Sequence, residues 1–148
     1  MEKITILIAD DHTLVRETWS FILNTDPRFR VIAESGSGED AVELAKQLRP
    51  NVIIMDINLP GMNGIEGVKL IRRNFPTVQI LMLTVFDDPS MVAEARAAGA
   101  MGYVVKSAAD RDLVSAIHAS LEGRFYSSPT RNRMERHVLR PAKSLIRR

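Results

Sequence analysis

A doubly wound α/β fold is the architecture this sequence predicts: a five-stranded parallel sheet in the order 2-1-3-4-5, with helices on both faces. Three observations point to it. Five short apolar runs alternate strictly with five segments whose apolar residues recur at helical spacing. The runs are nearly continuous in apolar character, as strands buried on both faces are. Strict strand–helix alternation favours parallel strands joined by right-handed crossovers, and that leaves few topologies.

Each element follows from its own residues. ITILIA (4–9), rich in β-branched side chains, reads as the first strand and stops at two acids. Residues 13–24 read as a helix, with Leu14, Val15, Trp19, Ile22 and Leu23 on a broad apolar face. FRVIAE (29–34) is the second strand, and residues 38–48 the second helix, with Ala41, Leu44, Ala45 and Leu48 at helical spacing. NVIIM (51–55) is the third strand; Ile65, Val68, Ile71 and Phe75 mark the third helix. VQILML (78–83) is the fourth strand, followed by an Ala-rich helix over 89–98. MGYVV (101–105) is the fifth, and residues 110–121, with Leu113, Ile117 and Leu121, form the fifth helix. The folded body is expected to span residues 1–123 as one domain. Residues 124–148 then form a basic linker or tail without a complete DNA-binding domain.

Composition narrows the function classes. Of the 148 residues, 45% are hydrophobic and 26% charged, ordinary values for a globular chain with a core. There is no cysteine, hence no disulfide framework and no thiolate metal site, in keeping with a cytoplasmic setting. No apolar run approaches membrane-spanning length, so no membrane association is expected. The opening MEKITILIAD lacks the pattern of a signal peptide. The net charge of +2 hides an asymmetry. Residues 1–126 hold 13 Lys/Arg against 17 Asp/Glu, whereas residues 127–148 hold 7 against 1. Basic character therefore belongs to the tail, and no specific DNA binding is expected from this chain.

The polar residues at the strand ends carry the chemistry. Asp10 and Asp11 follow the first strand, Asp56 the third, Thr84 the fourth and Lys106 the fifth. In the order 2-1-3-4-5 these side chains converge in one crevice around Asp56. Close carboxylates repel by roughly 4 kcal/mol per pair at an effective dielectric near 20. Lys106 supplies one compensating charge, and a hard dication such as Mg²⁺ is the natural second. Such a site is built to receive a phosphoryl group onto a carboxylate, with Lys106 and the metal neutralising charge and Thr84 hydrogen-bonding a phosphoryl oxygen.

The stretches DDH (10–12), MDINLPGMNG (55–64), LT (83–84) and YVVK (103–106) resemble a response-regulator receiver domain, the flavodoxin-like phosphoacceptor module of two-component systems. The resemblance covers about residues 3–122. DDHTLVRE and GRFYSSP (123–129) further resemble its NarL/FixJ, LuxR-type subfamily. The resemblance implies that Asp56 is the phosphoacceptor. It implies that Asp10, Asp11, Asp56 and the backbone carbonyl of Asn58 hold Mg²⁺, that Lys106 contacts the phosphoryl group, and that Thr84 and Tyr103 are a switch pair. The donor it implies is a histidine kinase or a small acyl phosphate, with homodimerisation on phosphorylation as one output. Val85 and Ser107 depart from the family pattern, which favours a smaller residue after the Thr and Pro after the Lys; neither departure removes a reactive group.

Other readings exist for each residue alone. Asp10 and Asp11 could cap the first helix, Asp56 could serve the turn before Pro60-Gly61, and Lys106 could be a solvated surface charge. Their joint occurrence at the strand ends is what a site explains. GSGEDA (36–41) has the spacing of a dinucleotide-binding turn, but Glu39 and Asp40 would repel a pyrophosphate, so it reads as a strand–helix turn. His12, His118 and His137 have no metal-ligand spacing among themselves; His12 reads as a partly exposed helix-entry residue. Trp19 and the methionines read as packing. An Asp-nucleophile phosphohydrolase of the haloacid-dehalogenase type would put its nucleophile on the first strand, with a second Asp two residues on, where this chain has Asn58. A flavodoxin-like FMN binder would need a phosphate loop where DDHTLVRE is anionic. The chain therefore reads as a signalling switch rather than an enzyme. A helix-turn-helix domain takes about 60 further residues, and 22 follow Tyr126. That leaves two readings: the N-terminal part of a transcription regulator that has lost or lacks its helix-turn-helix domain, or a stand-alone receiver acting through protein contacts.

Overall fold

The computed structural model describes residues 2–128. In chain order these form β1 (Ile4–Ala9), α1 (Thr13–Asn24), β2 (Phe29–Ser35), α2 (Gly38–Leu48), β3 (Val52–Met55), α3 (Gly64–Asn74), β4 (Gln79–Thr84), α4 (Pro89–Ala98), β5 (Gly102–Val105), α5 (Ala109–Leu121) and β6 (Tyr126–Ser127). A 3-10 turn over Lys106–Ala108 leads into α5. All pairings are parallel, in the order β2-β1-β3-β4-β5-β6. The predicted order 2-1-3-4-5 is present, and the predicted element edges fall within one residue of the observed ones.

Strand alternation sorts the apolar side chains into two cores. Leu7, Ile53, Met55, Ile80, Met82 and Tyr103 face α2, α3 and α4, where they meet Ala41, Val68, Ile71 and Ala95. Ile6, Ile8, Ile54, Leu81, Leu83 and Val104 face α1 and α5 and meet Leu23, Leu113, Ala116 and Ile117. Because both faces are dry, the central strands show no polar alternation. Each large side chain buried this way contributes roughly 1.5–3 kcal/mol before conformational entropy is set against it. Short polar side chains set the starts of α2, α3 and α4. Ser37 Oγ accepts from the Asp40 N–H at α2, with Glu39 and Asp40 in the first turn, so GSGEDA is a capped strand–helix turn. Asn63 and Asp88 cap α3 and α4 in the same way.

Past Gly123 the chain stays in the sheet. β6 adds a sixth strand beside β5, with Tyr126 N–H donating to Met101 O at 3.1 Å and Ser128 N–H to Tyr103 O at 3.1 Å. The Val105 N–H donates to Ser128 Oγ at 2.9 Å, and the Tyr126 hydroxyl to Asp112 Oδ1 at 3.0 Å. A two-residue strand has no readable period, so it is recognised only by what it pairs with. The apolar face of α1 is narrower than its sequence suggests. Leu23 is buried and Trp19 packs on the core, but Leu14 is 78% and Ile22 42% exposed. A helix lying on a sheet buries a limited stripe, and these two residues fall beyond its edges. No helix among the described residues is long and apolar enough to cross a membrane. His137 and the apolar positions 134, 138, 145 and 146 lie outside the described residues.

Candidate functional site

Parallel register brings the strand ends to one level. Ala9 lies opposite Met55, Met55 opposite Met82, and Thr84 opposite Val105. The residues that follow, Asp10, Asp56 and Lys106, therefore emerge side by side at the carboxyl edge of the sheet. Backbone bonds seat two of them: Asp56 N–H donates to Ala9 O at 3.0 Å and Asp10 N–H to Ser35 O at 2.9 Å. Asp10 and Asp56 are buried, whereas Asp11 and His12 are exposed.

Lys106 joins the two buried acids. Its ammonium lies 2.7 Å from Asp10 Oδ2 and 2.8 Å from Asp56 Oδ2, with its own side chain only 11% exposed. Burial by itself disfavours the ammonium, but the hydrogen bonds and negative charge of Asp10 and Asp56 outweigh it and hold its pKa above the ordinary lysine value. Asp10 Oδ2 is paired with the ammonium and accepts from no other group. Asp10, Asp11, His12 and Asp56 each present one ligand atom, all within 4.8 Å of one another. Carboxylate oxygens so close suit a hard dication.

Asp10 and Asp11 do not cap α1. The residue at its N-cap position is His12, with no side-chain capping bond, and Asp10 Oδ1 instead accepts from the His12 N–H at 2.9 Å. The Asp56 loop is held as tightly. Asp56 Oδ1 accepts from the Asn58 N–H at 3.1 Å, and the Gly64 N–H donates to Ile57 O at 2.6 Å. A Cβ on Gly64 would lie 2.4 Å from the Asp56 carbonyl oxygen and 2.6 Å from Ile57 Cα. Both neighbours are backbone, so neither can swing away. Gly64→Ala is expected to destabilise the fold by about 3 kcal/mol, the upper range for overpacking, and to shift the Asp56 amide resonance. Urea unfolding with a two-dimensional NMR spectrum checks both, and a variant as stable as the parent would show that α3 slides to make room.

Thr84 and Tyr103 are both buried and meet at one loop residue. Phe86 N–H donates to Thr84 Oγ1 at 3.3 Å, and the Tyr103 hydroxyl donates to Phe86 O at 2.7 Å. The two side chains named from the sequence thus hold the N–H and the carbonyl of one residue, Phe86. Val85, between them, is 60% exposed, and Ser107 sits in the 3-10 turn. Two residues at the site were not picked out as site residues from the sequence. Arg16 donates to Asp10 O at 2.7 Å and to Glu34 at 3.1 Å, pinning the acid loop to β2. His12 turns its Nδ1 into the cluster, 3.0 Å from Lys106 Nζ. The DDH run brings His12 near by sequence, but nothing in it shows which way the ring points.

A family model described as the response regulator receiver domain matches residues 6–118. The transcriptional regulatory protein DegU of Brevibacillus brevis is 40% identical over 127 residues, 86% of this chain and 54% of that protein. The response regulator UvrY of Escherichia coli is 36% identical over 142 residues, 95% of this chain and 65% of that protein. The chain thus spans little more than half the length of the first of these relatives. Among solved structures, a two-component response regulator of the LuxR family from Aurantimonas matches with a TM-score of 0.85 and 34% identity, over 93% of this chain and 99% of that one. The isolated receiver of RcsB from Salmonella enterica, solved with the phosphomimetic BeF3-, matches with a TM-score of 0.81 and 27% identity, over 89% and 98% of the two chains.

Proposed function

The chain belongs to the response-regulator receiver family, with relatives in the LuxR/NarL group, and from that premise we propose that it is a signalling switch operated by phosphorylation of Asp56. The observation that carries this reading is the buried Asp56 carboxylate at the end of β3, joined to Lys106 at 2.8 Å and adjoining Asp10 and Asp11. A carboxylate oxygen of Asp56 attacks the phosphorus of a phosphohistidine on a histidine kinase, or of a small acyl phosphate. The P–N or P–O bond of the donor breaks, and the leaving group keeps the electron pair. Asp10, Asp11, Asp56 and the Asn58 backbone carbonyl would hold Mg²⁺, which neutralises phosphoryl oxygens when bound. Lys106 reorients from Asp56 to a phosphoryl oxygen, keeping the new charge paired.

The readout would run through Thr84. Its Oγ1 accepts from the Phe86 N–H while its proton can be donated to a phosphoryl oxygen, so a move of the hydroxyl toward that oxygen pulls on Phe86, the residue whose carbonyl Tyr103 holds. Thr84→Ala is expected to bind Mg²⁺ and accept the phosphoryl group, yet to lose the phosphorylation-induced shift of the Tyr103 ring resonances. Identical Tyr103 shifts in Thr84→Ala and the parent would remove Thr84 from the switch.

The partner is a histidine kinase, and the setting the cytoplasm. The relatives named as transcriptional regulators support a receiver within a transcription regulator, in which the folded body, β6 included, is the phosphoacceptor unit and the basic residues after Ser128 have no specific DNA binding of their own. The alternative, a stand-alone receiver acting through protein contacts or homodimerisation, predicts the same chemistry. Intact mass after treatment with acetyl phosphate tests the proposal. One phosphoryl adduct should appear with Mg²⁺ and fade with EDTA. An unchanged mass in Mg²⁺ would overturn it.

A further inference from the structure

We propose that the end of the molecule opposite Asp56 carries a ligand site of its own, a cavity between the α2–β3 and α3–β4 turns that takes a small organic carboxylate on Arg49. Parallel strands put these turns at the amino edge of the sheet. Asn51 leads into β3 and Val78 into β4, whereas Asp56 and Thr84 stand at the far ends of the same strands. The cavity measures about 240 Å³, with Pro50, Phe75 and Pro76 as apolar wall and Arg49, Asn51 and Thr77 as polar wall. That is below the roughly 300–1,000 Å³ of pockets for drug-sized ligands, so its occupant is small.

Arg49 is held there at a conformational cost. It caps α2 in the left-handed region, at φ 49° and ψ 58°, and is the one non-glycine residue with positive φ among the described residues. Glycine is the usual residue at such a helix end. A side chain kept in a disfavoured backbone conformation points to a use for that side chain. The Arg49 guanidinium lies 4.9 Å from the Phe75 ring centroid and its Nε donates to Lys46 O at 3.3 Å. It has no carboxylate partner among the described residues, so the two terminal nitrogens of its planar fork remain to donate. The backbone acceptors that would repel an anion are meanwhile occupied. Arg72 donates to Pro76 O at 2.8 Å and to Val78 O at 2.6 Å. The Gln79 N–H donates to Asn51 O at 3.0 Å and the Val78 N–H to Phe75 O at 3.4 Å. Thr5 fixes the Asn51 amide by giving both its N–H and its hydroxyl to Asn51 Oδ1, which leaves Asn51 Nδ2 as a donor. Among the described residues no acid lines the cavity. Occupied acceptors, spare donors and one guanidinium select a single negative charge, and the proline and phenylalanine walls select an apolar body behind it.

The test is a titration of the full chain with sodium benzoate, and separately with sodium hexanoate, followed in two-dimensional amide NMR spectra. Both should give saturable shifts centred on the amides of Asn51, Phe75 and Thr77. Neutral benzamide should bind at least about tenfold more weakly than benzoate, the factor a charge-assisted hydrogen bond supplies. Arg49→Gly should abolish the shifts while its spectrum stays that of the folded protein, because glycine takes the left-handed conformation at the end of α2 without strain. The inference is overturned if neither carboxylate gives a saturable shift, or if benzamide matches benzoate. Full binding by Arg49→Gly would overturn it as well, and so would inorganic phosphate matching both carboxylates, since a generic anion patch has no use for the apolar wall.

Discussion

Asp56→Asn is expected to leave a folded protein that takes up no phosphoryl group from acetyl phosphate. The amide keeps the shape of the side chain and can still accept the Asn58 N–H, so the loop after β3 keeps its hydrogen bond. What it loses is the charged oxygen nucleophile. Neither neighbouring acid can stand in. Asp10 is buried, with one oxygen taken by the His12 N–H and the other facing Lys106, and Asp11 is exposed at the rim. Intact mass and a thermal melt on the same sample check the result: no adduct, and a cooperative transition. An adduct that persists would place the acceptor elsewhere and remove Asp56 from its role.

Lys106→Met should produce a large loss of stability at the site. Methionine fills similar space but leaves Asp10 and Asp56 buried and facing each other without a cation. Breaking a buried ion pair from one side typically costs about 3–5 kcal/mol, and the rim beside Asp11 lets in some water, so about 3 kcal/mol is expected in EDTA. Mg²⁺ should then stabilise the variant more than the parent, because it supplies the missing charge and has no ammonium to displace. Denaturation in EDTA and in Mg²⁺ measures both terms, and equal stability of variant and parent in EDTA would show that the acids hydrate freely. The pH dependence has a definite sign. The folded pKa of Lys106 is raised, so its stabilisation is complete below the unfolded lysine pKa near 10.4 and is lost as pH rises through the higher folded value. The parent should thus lose stability in the alkaline range where Lys106→Met does not.

The sequence by itself determined the sheet order, the element edges and the identity of the acids, because these rest on local signals. Continuous apolar runs such as VIIM mark strands buried on both faces. Parallel register then carries Asp10, Asp56 and Lys106 to one edge without further information. Only the tertiary structure decided what depends on the neighbour. β6 exists because β5 offers an open edge, α5 offers Asp112, and Ser128 can reach the Val105 N–H. Leu14 is exposed because α1 runs past the stripe the sheet can cover. Thr84 and Tyr103 are linked through the Phe86 backbone, a residue with no chemical signature of its own. His12 joins the cluster by a ring orientation that brings Nδ1 to Lys106, which follows a different strand. Periodicity reports which side of an element is buried; it carries nothing about which atoms the next element brings to meet it.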